Sequence, residues 1–227
     1  KRLGMKDDSL MAVHINHMLR GNEADCDEEF ARKLCEKMSI KFKVYHKDIK
    51  AYAKQEKMSE EEAGRKFRYE CFDKTLKEYG ATKIAVAHNK NDLAETVIFN
   101  MLRGSGLNGM SGIQAVRGNI IRPLLDVTRQ QIEEYLAGIE QDYRNDSTNG
   151  TLDYDRNKIR HSILPAMCDI NSRAVEHICQ MAEEAKESYT FIHGQAMEEY
   201  EESVVADEKN RTVTLDIGQL YKYNPVM

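Results

Sequence analysis

Four short apolar runs, each followed by a stretch with helical spacing, constrain the fold of this chain more than any other feature. The runs are LMAVHINH (Leu10–His17), the alternating segment Lys41–Ile49 with Phe42, Val44, Tyr45 and Ile49, KIAVA (Lys83–Ala87) and NIIRPLL (Asn119–Leu125). Between them, Asn22–Met38 repeats Ala24, Phe30, Ala31, Leu34, Cys35 and Met38 at near-helical intervals. SEEEAGRKFRYECFDKTLKEYG opens on Ser59 with Glu62 as a capping box and closes on Gly80. A helix runs from after His88 to Arg103, and Thr128 with Gln131 caps TRQQIEEYLAGIE. This alternation predicts an α/β domain, a mostly parallel sheet covered by helices, with KIAVA as its cleanest buried strand. Such sheets bind ligands outside the carboxyl ends of their strands, where His14–His17 and His88–Asp92 fall.

Past Gln141 the pattern changes. A long polar loop reaches Asp155, a helix follows around Arg156–Met167, and Asn171–Val204 reads as one long helix. Val175, Ile178, Met181, Ala185, Tyr189 and Ile192 form a stripe on that helix, which could bury against a partner chain or the chain's own second domain. Thr212–Ile217 alternates like a half-buried strand. The boundary is expected near Asp169, giving domains of 1–168 and 169–227. The 227 residues suffice for one good core and part of a second domain. KRLGMKDDS at the start reads as the tail of a helix beginning upstream, and YKYNPVM stops just after a strand-like run, so a fragment is expected at both ends.

Composition narrows the function. A formal charge of −5 argues against nucleic-acid binding by bulk electrostatics, so an RNA partner would have to meet a local basic patch. No apolar run approaches the roughly 18–20 residues that span a bilayer. The five cysteines, with no CxxC spacing, read as reduced thiols of a cytoplasmic protein.

Four clusters could carry chemistry. In AHNKNDLAETVIFNMLRGSG, Leu93, Val97, Ile98, Met101 and Leu102 share one helical face, and Asp92, Glu95, Thr96 and Arg103 the opposite one. Asp92 and Glu95 either complement the helix dipole or hold an ammonium group or a divalent cation. The glycine-rich RGSG can cradle phosphate or RNA. His14, Asn16, His17 and Arg20 shape a strand edge, but a zinc site would need a further ligand. Arg65 and Arg68, at i and i+3, are either a solvated face or a clamp on phosphate or carboxylate. Arg156, Lys158 and Arg160 in DYDRNKIRHSILP are either a surface ion-pair network or contacts to RNA phosphates.

Taken in order, HINHMLRG, EEAGRKFRYE, AHNKNDLAET, RGSGLNGMSGI, IRPLL, DSTN and YDRNKIR resemble the catalytic domain of the tRNA(Ile)-lysidine synthetases over about Leu10–Pro165. That family belongs to the PP-loop ATP pyrophosphatases. The resemblance implies a Rossmann-like sheet of the adenine-nucleotide α-hydrolase type, followed by the start of a tRNA-binding C-terminal region. It implies adenylation by ATP, with Mg²⁺, of the C2 carbonyl of the wobble cytidine in tRNA-Ile with a CAU anticodon. The ε-amine of free L-lysine then displaces AMP. Asp92, Glu95 and Arg65 are the implied catalytic residues, and His14, Asn16, His88, Arg68 and Arg103 the implied nucleotide-binding ones. Arg156, Lys158 and Arg160 would meet the tRNA, and a homodimer is possible. Two features depart from the family. The Ser-Gly-Gly-x-Asp-Ser loop is absent and is expected before Lys1, and Asn89 and Asn91 replace a His and an Asp of the commoner AHHxDDxxET. A tRNA thiolase, or an RNA-binding remnant without catalysis, are the other readings of the same chain.

Overall fold

The computed structural model describes residues 9–144, 155–207 and 212–215. The opening KRLGMKDD, the DSTN motif with most of the polar loop, and the closing YKYNPVM lie outside the described residues. The chain divides between Ile84 and Ala85 into two compact units.

In the first unit, strand β1 (Met11–Asn16) pairs in parallel with β2 (Lys41–His46), in a register running from Met11 opposite Lys41 to Asn16 opposite His46. Parallel neighbours need a crossover, and helix α1 (Asn22–Lys37) supplies it, with Glu23 and Asp25 in its first turn and Lys37 in its last. Helix α2 (Ile49–Glu56) was not expected. Asp48 caps it, its side chain accepting from the Ala51 amide, and Lys57 ends it in the left-handed region. Ile49, assigned to the strand on its alternation, is instead the first helical residue and fully buried. Helix α3 (Glu60–Tyr79) has the expected Ser59–Glu62 capping box and ends on Gly80 at φ +62°. Ile49, Tyr52, Ala53 and Ala63 form the core between α2 and α3, with Met58 and Phe67 packed against it.

The second unit centres on helix α4 (Lys90–Leu102), followed by the short α5 (Leu107–Met110). Strand β3 (Ile84–Ala85), at the division, β4 (Val116–Arg117) and β5 (Ile120–Ile121) form a sheet in the order β3-β5-β4, with β4 and β5 antiparallel. KIAVA is therefore corrected from a buried strand to a two-residue one in which Ala85 is exposed. Its partner β5 is equally short, because Pro123 lacks the N–H that would extend the ladder. Helix α6 (Arg129–Gly138) carries the expected Thr128–Gln131 box. Helix α7 (Asp155–Lys158) runs through one π-helical turn, Ile159–Ile163, into α8 (Leu164–Ile170), and the long α9 (Ala174–Ser203) follows. Strands β6 (Val204–Asp207) and β7 (Thr212–Leu215) close an antiparallel hairpin.

One core holds α4, the π turn, α8 and the first half of α9 together: Ala94, Val97, Ile98, Ile159, Leu164, Val175, Ile178 and Ala182. Gly112, at φ +65°, lets the loop after α5 touch α4, since a Cβ there would stand 2.5 Å from Leu93 Cδ1. The apolar face expected of α4 is corrected at its end. Val97 and Ile98 are buried, but Met101 and Leu102 are 49% and 63% exposed because no described element covers the last turn.

Candidate functional site

The head of α4 is built by local capping and then by a distant helix. Asn89 is the N-cap: its Oδ1 accepts from the Asp92 amide at 3.1 Å, and Asp92 Oδ2 accepts from the Asn89 amide at 2.9 Å. Asn91 Oδ1 accepts from the Arg129 amide at 3.0 Å, so both asparagines that depart from the commoner motif have defined partners. Sequence reasoning treated them only as losses; the Asn-x-x-Asp spacing was the signal for the cap.

Glu95 was assigned to the polar face of α4, yet it is only 3% exposed. Arg160, from the π-helical turn, reaches it in a paired contact, Nε to Oε1 at 2.7 Å and Nη2 to Oε2 at 2.8 Å. The same Nη2 donates to Asp92 Oδ1 at 2.9 Å. Such fork-shaped pairing is the strong geometry for arginine and carboxylate. Hydrogen bonding to Glu95, opposed by burial and aided by the charges of Glu95 and Asp92, raises the Arg160 pKa. Arg156 Nη2 donates to Thr96 Oγ1 at 3.0 Å, and that hydroxyl donates to the Asp92 carbonyl at 2.9 Å. Lys158 stays exposed, 3.9 Å from Asp155. Thus Asp92 and Glu95, paired from sequence, and Arg160, assigned from sequence to another cluster, come together as one group whose two carboxylates and one guanidinium sum to one negative charge. The contact spans 65 residues of chain, which no local pattern reports.

His88, immediately before the cap, is half-buried and accepts at Nδ1 from Arg122 Nε at 3.3 Å. Arg122 is 8% exposed, and its Nη1 donates to the Gln114 carbonyl at 2.6 Å. The IRPLL motif contained this arginine, but it was not singled out. Arg103, at the end of α4, is exposed and lies 5.2 Å over the Phe99 ring.

The first unit holds the other expected residues. Asn16 is 2% exposed and fully engaged: its amide donates to Asp25 Oδ1 and Glu28 Oε2, and its oxygen accepts from the Met18 amide. It ties the end of β1 to α1 instead of reaching outward. His14 lies 6.3 Å from Phe42, and burial lowers its pKa against the opposing charges of Glu28 and Asp27. His17 packs beside Gly64 of α3, with its Nδ1 buried and unpaired. Burial, then the charges of Arg68 and His14, lowers its pKa. Arg68 retains exposed surface, yet desolvation, followed by repulsion from Arg65, lowers its pKa too. Arg65 donates to Tyr69 Oη at 3.3 Å and lies over that ring at 5.1 Å. Among the described residues neither arginine has an ion-pair partner, so this end of β1 and α3 carries positive charge without a paired carboxylate there, a chemistry suited to an anion.

A metal has less to hold it. Among the described residues no group of three or more His, Cys, Asp or Glu side chains is placed to bind one. Among the described residues no helix is long and apolar enough to cross a membrane.

A family model described as the PP-loop domain matches residues 2–167. Its start at residue 2 counts against the expectation that the family's N-terminal part is missing from the chain, although the Ser-Gly-Gly-x-Asp-Ser pattern does not occur in the sequence. The chain is 41% identical over 93% of its length to a tRNA(Ile)-lysidine synthase from Caldanaerobacter subterraneus subsp. tengcongensis, of which it spans 45%. It is 43% identical over 88% of its length to that of Clostridioides difficile, spanning 44%. For that of Bacteroides thetaiotaomicron the figures are 39%, 87% and 46%. The chain thus spans a little under half the length of these relatives. The U34-tRNA thiolase NcsA from Methanococcus maripaludis superposes with a TM-score of 0.65 at 17% identity, covering 79% of this chain and 63% of that one. That likeness bears out the Rossmann-like α/β fold. With most of its length matched by the family model, the chain belongs to the PP-loop domain family.

Proposed function

We propose that this chain performs the catalytic steps of a tRNA(Ile)-lysidine synthase, joining L-lysine to the wobble cytidine of tRNA-Ile with a CAU anticodon. The observation that carries the reading is the Asp92–Glu95–Arg160 cluster, whose net negative charge one ammonium would neutralise. The relatives named tRNA(Ile)-lysidine synthase support it. In the first step the C2 carbonyl oxygen of cytidine attacks the α-phosphorus of ATP and pyrophosphate leaves. In the second, the ε-amine of lysine attacks C2, loses a proton, and AMP departs with the former carbonyl oxygen. Activation is needed because that carbonyl is a poor electrophile, and the amine must be neutral to attack.

The residues divide this work. Asp92, with a 22% exposed side chain, is the carboxylate that meets the incoming ammonium. Glu95, at 4%, acts through Arg160 to set the charge of the pocket. Within the first unit Arg65 and Arg68, with His14 and His17, are suited to phosphate oxygens, and within the second His88 and Arg103 are the residues the family resemblance assigns to a nucleotide. Asn16 supports the end of β1. Arg156 and Lys158 face the tRNA backbone, and Arg160 is committed to the carboxylates. Mg²⁺ would arrive on the triphosphate and neutralise its charge there. A homodimer, a cytoplasmic location and a tRNA-binding role for 169–227 belong to the same reading. The thiolase alternative gains no support from the cysteines: burial pushes the thiols of Cys71 and Cys179 up to about 11, away from the nucleophilic thiolate.

Incubating the protein with ATP, labelled lysine and tRNA-Ile (CAU) tests the proposal. Lysine incorporation with stoichiometric AMP release is expected; a folded protein giving neither would overturn it.

A further inference from the structure

His17 follows β1 directly, and the side chain before it governs its backbone. Asn16 Oδ1 accepts from the Met18 amide at 3.0 Å, closing a turn in which His17 is the central residue. Met18 lies just beyond at φ +54°, in the left-handed region that a residue with a bulky side chain seldom enters. Its own side chain is 56% exposed, so packing does little to hold that backbone, and the hydrogen bond to Asn16 is what remains. Asn16 is clamped in turn. Its Nδ2 donates to Asp25 Oδ1 at 3.1 Å and to Glu28 Oε2 at 3.2 Å, both on α1. Glu28 is held by His46 Nε2 at 2.7 Å and by Arg32 Nη2, also at 2.7 Å. At 2% exposure Asn16 cannot rotate without breaking all three of its bonds. The position calls for an amide: an aspartate would keep the acceptor but set a third carboxylate against Asp25 and Glu28 with no donor between them. On the other side, the His17 carbonyl accepts from the Ile49 amide at 3.3 Å. The ring then lies against α3, where a Cβ on Gly64 would stand 3.7 Å from His17 Cε1. Arg68, one turn further along α3, is near enough for its charge to act on the same ring.

We propose that Asn16 is a positioning residue: the turn it closes on the Met18 amide sets the backbone of His17 and holds the imidazole against Gly64, beside Arg68. Asn16 thus serves the cationic end of α3 without touching a ligand. The consequence for ATP rests on the functional reading above; the placement of His17 does not. The assignment also gives Met18 a reason for its unusual backbone, since a left-handed residue after the turn leads the chain away from the ring and towards α1.

The placement is read from the nuclear Overhauser contact between His17 Hε1 and the Gly64 Hα protons, with His17→Gln identifying the ring resonance. Met18→Gly keeps the amide donor and favours a left-handed backbone, so the contact should persist. Met18→Pro removes the N–H and sets φ to about −65°, so the contact should be lost. A contact kept in folded Met18→Pro, or lost in Met18→Gly, overturns the proposal. Asn16→Ala should behave as Met18→Pro does, and a folded Asn16→Ala protein that keeps the contact overturns it equally. If Asn16→Ala does not fold, the two variants at the exposed position 18 still decide. Where the contact is lost, the His17 pKa, which burial lowers, should rise towards its ordinary value. In turnover, Met18→Pro should raise the KM for ATP about tenfold, the worth of one hydrogen bond to a charged oxygen, with kcat and the KM for lysine within a few-fold of wild type. Equal effects on both substrates overturn the link to ATP. A wild-type chain that fails to consume ATP defeats the functional reading and with it that link, while the spectra still decide the placement of His17.

Discussion

At the head of α4, Asp92 and Glu95 meet Arg160 at 2.7–2.9 Å, whereas beside His17 the arginines 65 and 68 gather with no carboxylate paired to either among the described residues. Both regions lie in or next to motifs of the same family, and both are rich in charge. Their energetics are opposite. The first pairs its one cation with two carboxylates, so it is hydrogen-bonded within itself while keeping a surplus of one negative charge. The second keeps two cations close to a buried imidazole nitrogen that is unpaired among the described residues, an arrangement of like charges that repel one another. The difference teaches that a charged motif becomes a ligand site by what its own protein leaves unpaired. By that measure the cationic cluster is the one whose charges stay unpaired among the described residues, and at α4 the side chain of Asp92 is more exposed than that of Glu95.

The sharpest way to break the comparison is to remove the cation from the balanced side. Arg160→Met strands a buried Glu95, and thermal or urea unfolding should report a loss of about 3 kcal/mol, the low end for a broken buried pair because Arg160 is itself 28% exposed. The double change Arg160→Met with Glu95→Met should recover much of it. On the other side Arg68→Met has no partner to strand. Its stability should be unchanged or slightly raised, while calorimetric ATP affinity falls about tenfold or more. Asn89→Ala tests whether the departure from the family motif is a cap: a loss of about 1 kcal/mol is expected, with Asn89→Ser close to wild type.

The smallest effect concerns pH. Burial pushes the Glu28 carboxyl up, but hydrogen bonds from Asn16, His46 and Arg32 outweigh it and leave its pKa lowered from 4.5. A carboxyl with a depressed folded-state pKa stabilises fully above its unfolded value and loses that contribution as pH falls through the folded one. The stability gap between wild type and Glu28→Gln should therefore be constant near neutrality and shrink below pH 4.5.

What the sequence revealed follows the range of the interactions. Ser59–Glu62, Thr128–Gln131 and Gly80 are read within four residues, and all three stand in the structure as expected. The β1–α1–β2 unit was legible because strand and helix periods differ plainly. Helix α2 was not, because Ile49 continues the alternation of β2 by chance while Asp48 caps a helix of only eight residues. Glu95 sits opposite the apolar stripe of α4 on any helical wheel, yet Arg160 and the π turn cover it. The wheel describes one helix and says nothing of what lands on its other face. The site residues were thus identifiable by type and motif, while their pairing, and the supporting role of Asn16, came only from the packing.

The division of labour between the two clusters is tested most directly by apparent KM values for ATP and for lysine in Asp92→Asn and Arg68→Met, under conditions where both variants are folded. The account predicts a crossed pattern: Asp92→Asn raises the KM for lysine at least tenfold with little change for ATP, and Arg68→Met does the reverse. Equal effects of either substitution on both substrates would contradict it.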